Sequence, residues 1–305
     1  MKELWTEKYR PQGLDGYVFV DQKQRQQVEA WIREKSIPHL MFSGSAGTGK
    51  TTLAKILIRE LGIEEYDVMW ANGSKEARKI EWVDRLISFC QTMPFGNIKV
   101  VMIDEADFMN PQSVQPALRN LMEDYSETVR FILTCNYPNK IIPAIHSRCQ
   151  GFHIARTDQT EFTARVAQVL LSESVDFDLD VLDSYVRATY PDLRKCLNLV
   201  QPNSVTGKLL PPGESDVSAR DWRLECVGLF KQGEVRQART LICQQAGEDV
   251  EAVFRWMYDN VNLWSDDIYK QDQAIVIICQ GLSRISLVAD QEINLSATMI
   301  ELSNL

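Results

Sequence analysis

The segment Gly44-Ser45-Ala46-Gly47-Thr48-Gly49-Lys50-Thr51 constrains this chain more than any other. It has the form G-x-x-x-x-G-K-[ST], set between the apolar, strand-like Leu40-Met41-Phe42 and the helix-like Thr52-Leu53-Ala54-Lys55-Ile56-Leu57. A strand must feed such a loop and a helix must receive it, so an α/β layer is required here. The glycines let backbone N–H groups turn toward a polyphosphate, Lys50 neutralises charge on the β- and γ-phosphates, and the Thr51 hydroxyl can reach Mg²⁺. The motif therefore predicts binding of a nucleoside triphosphate by Ser45, Ala46, Gly47, Thr48, Gly49, Lys50, Thr51 and Thr52.

A binding loop alone does not hydrolyse anything. The second half-site is expected at Val100-Val101-Met102-Ile103-Asp104-Glu105-Ala106-Asp107, an apolar run ending in acids. That pattern fits a central parallel strand whose C-terminal end carries chemistry, where open α/β sheets bind their ligands. Asp104 is expected to hold the Mg²⁺ shell together with Thr51, and Glu105 to orient or deprotonate the attacking water.

Residues 1–155 alternate strand and helix patterns, which predicts a nucleotide-binding α/β domain with a Rossmann-like parallel sheet. Strands are expected at Leu40 to Ser43, Val68 to Ala71, Val100 to Ile103, Arg130 to Cys135 and Gly151 to Ile154. Helices are expected at Asp21 to Glu34, Lys50 to Leu61, Ile80 to Gln91 and Gln112 to Asp124. Beyond Arg156 the strand signal stops. A helix start at Thr157-Asp158-Gln159-Thr160-Glu161 and apolar spacing at Phe162, Val166, Val169 and Leu170 predict a small helical lid over 156–203. Three prolines and two glycines between Pro202 and Asp216 suggest a linker over 204–216. Helical periodicity resumes over 217–305, which predicts an all-helical final domain.

At 305 residues, with 45% hydrophobic and 25% charged residues, the composition is that of a soluble globular protein. The run Ala274-Ile275-Val276-Ile277-Ile278-Cys279 is too short to span a bilayer, and the charged start is unlike a signal peptide, so cytoplasmic placement without a membrane partner is expected. The seven cysteines include no C-x-x-C pair, which argues against zinc and for reduced core thiols. A formal charge of -9 excludes a chain coated all round in basic residues, yet leaves room for a local phosphate-binding patch. Lys75, Arg78 and Lys79 form one candidate; on composition alone their segment, Ser74 to Arg85, reads first as a solvated mixed-charge helix face.

Taken together, the Gly-Thr-Gly-Lys-Thr loop, the Asp-Glu-Ala-Asp box, Asn136 after the next strand and the helical lid resemble the AAA+ ATPases. Within that superfamily the chain is similar to sliding-clamp loader subunits of the replication factor C small-subunit type. The residues carrying this likeness are Trp5-Thr6-Glu7-Lys8-Tyr9-Arg10-Pro11, Ala71-Asn72-Gly73-Ser74, Ala117-Leu118-Arg119, Met122-Glu123-Asp124-Tyr125-Ser126 and Ser147-Arg148-Cys149. Brevity, Asn-Gly-Ser and Tyr190-Pro191-Asp192-Leu193-Arg194-Lys195 look most similar to the large subunit of T-even-type bacteriophage clamp loaders, which implies the cytoplasm of an infected bacterium.

The resemblance implies further roles. Asn136 would bridge the γ-phosphate and the lytic water, although on its own it also reads as a turn residue before Tyr137-Pro138. Arg194 would close the lid on phosphate, and Tyr9, Arg10 and Pro11 would lie near the adenine of ATP. Arg148 would act in trans as an arginine finger at a neighbouring subunit's ATP site. Lys75, Arg78 and Lys79 would track duplex phosphates, with Lys75 standing where family members often carry an acid. Leu86, Phe89, Met93 and Phe95 would contact the clamp, with core packing the alternative for the first two. The implied partners are other copies of the chain and a distinct subunit in a pentameric open ring, a sliding clamp and primer-template DNA. A branch-migration motor, a helicase loader and a non-hydrolysing ATP-binding scaffold are the competing readings.

Overall fold

The computed structural model describes residues 3–211, 222–244, 250–261, 264–265, 267–285 and 287–305. They group into two units, Glu7–Asp158 and a helical unit of Gln159–Leu305 with the N-terminal segment through Thr6.

In the first unit, β1 (Leu40–Ser43), β2 (Val68–Asn72), β3 (Lys99–Asp104), β4 (Val129–Cys135) and β5 (Gln150–His153) make one parallel sheet in the order β2-β3-β4-β1-β5. Every residue of β1 is buried, as a strand flanked on both sides and covered on both faces must be. Side-chain alternation divides β3 between two cores. Val100 and Met102 join Leu40, Phe42, Leu53, Leu57 and Ile132 beneath the helices Gln22–Glu34 and Lys50–Glu60. Val101 and Ile103 join Phe131, Leu133, Leu86 and Leu118 beneath Glu81–Gln91 and Val114–Asp124. Helices on both faces thus carry the expected α/β architecture.

Element ends depart from the sequence expectation where side chains compete for the backbone. Asp21 lies outside its helix and caps it, its carboxylate accepting from Lys23 N–H at 2.8 Å. Asn110 Oδ1 likewise accepts from Gln112 and Ser113 N–H, which holds a turn there and delays the next helix to Val114.

The second unit is helical among its described residues, apart from an isolated bridge between Asp176 and Lys208. Helices Gln159–Ser172, Leu179–Thr189 and Leu193–Val200 fall within 156–203, the last capped by Asp192. Trp222–Lys231 packs on Leu179–Thr189, and a core of Cys226, Val253, Phe254, Met257, Ile278, Leu295 and Met299 unites the C-terminal helices.

The expected linker needs correction over its first half. Leu209 is buried, its N–H donates to Asp176 O at 2.8 Å, and the Tyr185 hydroxyl donates to Leu210 O at 3.0 Å. A leucine with somewhere to pack overrides the glycine and proline content around it. The remainder, 212–216, lies outside the described residues. No described helix is long and apolar enough to cross a membrane. Cys279 is exposed, contrary to the expectation of core thiols throughout, whereas burial pushes Cys196 up to about 12.

Candidate nucleotide site at the ends of the strands

The phosphate loop leaves β1 and enters the helix Lys50–Glu60 through Gly49, whose φ of +91° is readily available only without a Cβ. A Cβ there would also meet the Tyr17 ring at 3.0 Å. Tyr17, which the sequence reading passed over, is therefore the aromatic lying against the loop; it is buried, and burial raises its pKa. Tyr9, Arg10 and Pro11 are half-buried in the same unit, with Arg10 paired to Glu7 at 2.6 Å.

Within the loop, Lys50 Nζ donates to Gly44 O at 2.8 Å and Ser45 O at 2.6 Å, and Thr48 Oγ1 donates to Ser45 O at 3.0 Å. These bonds hold the ammonium at the head of the loop. Thr51 Oγ1 donates to Asp104 Oδ1 at 2.8 Å, so the two half-sites meet. A hydroxyl and a carboxylate oxygen side by side suit a small divalent cation that takes its other ligands from phosphate and water.

Thr134, buried on β4, completes a connection the sequence reading missed. Its hydroxyl donates to the same Asp104 Oδ1 and accepts from Glu105 N–H at 3.1 Å. Glu105 itself has φ +55° and ψ +44°, a left-handed conformation that is uncommon for a residue with a side chain and is found at functional turns. Beneath it, Gly73 N–H donates to Asp104 O at 2.7 Å, and a Cβ on Gly73 would fall 2.2 Å from Glu105 O. The glycine of Asn72-Gly73-Ser74 lets β2 close on the turn at Glu105.

Asn136 follows β4, and Asp107 fixes its backbone: Asp107 Oδ2 accepts from Asn136 N–H at 3.3 Å and Tyr137 N–H at 3.1 Å. Gln115, fully buried, donates to Met109 O and Lys140 O and accepts from Ile142 N–H, tying the neighbouring loops together. Neither role has a local signature, because each partner is brought in by the sheet.

The remaining candidates lie elsewhere. Arg148 precedes β5, whose first residue aligns with Leu40 at the start of β1. It therefore lies at the end of the sheet opposite its own phosphate loop, with the four residues of β1 between them, each rising about 3.3 Å. There Arg148 donates to Ala144 O at 2.7 Å and pairs with Glu123, which holds the Glu123 carboxyl below its usual range. Arg194 is exposed on its helix in the other unit. Lys75, Arg78 and Lys79 are exposed around the turn Glu76–Arg78, not on a long helix.

The clamp-contact expectation divides. Leu86 is 0% exposed and belongs to the core, because Trp82, Val83, Leu86 and Cys90 form the inward stripe of their helix. Phe89 is half-buried, with Lys99 Nζ 4.5 Å from its ring centre. Met93 and Phe95 are 79% and 82% exposed, and Tyr66 joins them with its ring centre 6.0 Å from that of Phe95. Their loop is fastened from below: the buried Asp67 carboxylate accepts from Phe95 N–H at 2.9 Å and Gly96 N–H at 2.7 Å.

Residues 40–157 match the family described as "ATPase family associated with various cellular activities (AAA)". Among solved structures, the Thermotoga maritima RuvB Holliday junction branch migration motor superposes with a TM-score of 0.55 at 14% identity, over 76% of this chain and 84% of that one. That likeness is one of fold. The replication factor C small subunit of Sulfurisphaera tokodaii is 34% identical over 98% of this chain and 95% of its own length. The replication factor C small subunit 1 of Pyrobaculum islandicum is 31% identical over 100% and 96%. Because this similarity runs through the helical unit as well as the nucleotide-binding one, the chain belongs to the replication factor C small-subunit family of AAA ATPases.

Proposed function

We propose that the chain is an ATP-hydrolysing subunit of a DNA sliding-clamp loader. The observation carrying this reading is the near end-to-end similarity to replication factor C small subunits. The meeting of Thr51, Asp104, Thr134 and Glu105 at one strand end supplies the chemistry. Bound Mg²⁺, held by Thr51 and Asp104, would neutralise the charge that develops on the transferred phosphoryl group. Lys50 binds the β- and γ-phosphates, Glu105 orients and deprotonates the attacking water, and Asn136 holds that water against the γ-phosphate. Tyr9, Arg10 and Pro11 border the adenine, and Arg194 closes on phosphate from the lid.

Arg148 acts on a neighbouring subunit's nucleotide, a role supported by its position at the far end of the sheet from its own loop. ATP binding then favours a pentameric open ring of several copies and a distinct subunit, joined through the C-terminal helices. Lys75, Arg78 and Lys79 contact primer-template DNA, while Met93 and Phe95 dock on the clamp. Hydrolysis releases the closed clamp on DNA in the cytoplasm. The Asn-Gly-Ser and Tyr190 to Lys195 segments support a place beside the large subunits of T-even-type phage clamp loaders, and hence an infected bacterial host.

The test is ATP turnover by the chain assembled with its partner subunit, measured alone, with clamp, with primer-template DNA and with both. Stimulation by both together is expected. Turnover indifferent to clamp and DNA would remove the clamp-loader reading and leave an AAA ATPase of another role.

A further inference from the structure

We propose that Arg156 is a second phosphate-binding cation of the subunit's own nucleotide site, selective for the triphosphate. This rests on the ATPase reading above and adds a residue to that site. After β5 the chain runs beneath the head of the phosphate loop: Ile154 N–H donates to Ser43 O at 2.8 Å, and a Cβ on Gly44 would fall 2.4 Å from Ile154 O. Two residues on, Arg156 Nε donates to Ser45 Oγ at 2.9 Å. The carbonyl of that same Ser45 accepts from Lys50 Nζ at 2.6 Å. Two cations far apart in the chain are thus fastened to one loop residue.

An anion seated between two cations fastened to one residue is attracted by both, more strongly than by either alone. The loop is built to receive such an anion through its backbone N–H groups. Arg156 is fastened through Ser45, at the beginning of the loop, whereas the backbone N–H groups that receive the inner phosphates, those of Gly49 to Thr51, lie at its end. The outermost phosphate is therefore the one Arg156 serves. A guanidinium suits this position because its planar fork can hold the serine and a phosphate oxygen together. Ser45 matters in turn, since its hydroxyl is what orients the fork.

The test compares binding of ATPγS and ADP, with Mg²⁺, to the full-length chain by isothermal titration calorimetry. Arg156→Ala is expected to weaken ATPγS binding by about tenfold or more, the scale of one charge-assisted hydrogen bond. ADP affinity should stay within about twofold of wild type on that scale. Ser45→Ala, which keeps the cation and removes its tether, should shift ATPγS in the same direction by less. Arg156→Lys, which keeps charge without the fork, serves if the alanine variant fails to fold, and should also weaken ATPγS selectively. Equal weakening of both nucleotides, or of neither, overturns the proposal. A wild-type chain that binds neither nucleotide would sink the ATPase reading itself, so the two failures are distinguishable.

Discussion

At the C-terminal ends of the strands, Asp104 accepts two hydroxyls, Thr134 joins β3 to β4, and Glu105 is held in a left-handed turn over Gly73. At the other end of the same sheet, Arg148 reaches Glu123 across a partly exposed surface, and its Nε is buried without a hydrogen-bond partner. At the first end Asp104 is held by two hydroxyls and the Glu105 backbone by a third contact to Thr134. The second holds a cation by one exposed carboxylate, a carbonyl and the adjacent Ser147 hydroxyl. Pre-set geometry suits a centre that does chemistry within the chain; a lightly held arginine suits one that must serve another molecule.

The largest expected effect tests the second end. Arg148→Ala in the assembled ring should leave ATP binding nearly intact while lowering turnover on the order of 10³-fold or more, the scale of an arginine finger. Rings mixing Arg148→Ala chains with Lys50→Ala chains should hydrolyse only where an intact loop faces an intact finger. Wild-type turnover by Arg148→Ala would leave Glu123 and Arg148 as an ordinary surface pair.

Glu105→Gln comes next. Turnover under saturating ATP and DNA should fall by about 10²-fold or more, with binding retained, as for loss of a general base. Near-normal turnover would show that the left-handed turn presents something other than the base.

Smaller still is Thr134→Val, which keeps the side chain's shape and removes the hydroxyl shared by Asp104 and Glu105. It should cost roughly 1–3 kcal/mol in chemical denaturation, since the Glu105 N–H loses its partner and Asp104 Oδ1 keeps only Thr51. Glu123→Gln should leave the unfolding midpoint where it is, because exposed ion pairs contribute little. A shift as large as that of Thr134→Val would erase the contrast between the two ends.

The parts readable in sequence were those with a local signature. The phosphate loop announces its strand and helix, the apolar run before Asp104 announces a central strand, and periodicity announces the helices on either side. Thr134, Asp107 and Gln115 have no such signature. Thr134 matters because parallel pairing sets Ile103 beside Leu133 and so carries the next residue of β4 up to Asp104. Leu86 shows the complementary error: its helix presents apolar residues to the core, and nearness to an exposed loop says nothing about which face a residue occupies. Leu209 lay in a stretch rich in glycine and proline, yet a backbone bridge to Asp176 gave it a buried position.

Asp67 carries one more consequence. Its carboxylate is sealed inside the first unit while gripping the backbone of the loop that displays Met93 and Phe95. A flexible loop would have to be ordered each time a partner docked, and that entropy would be subtracted from every encounter. Here the ordering happens once, during folding. Whatever seats on those two side chains meets a backbone already held at Phe95 and Gly96, so less of its binding energy goes into ordering the loop.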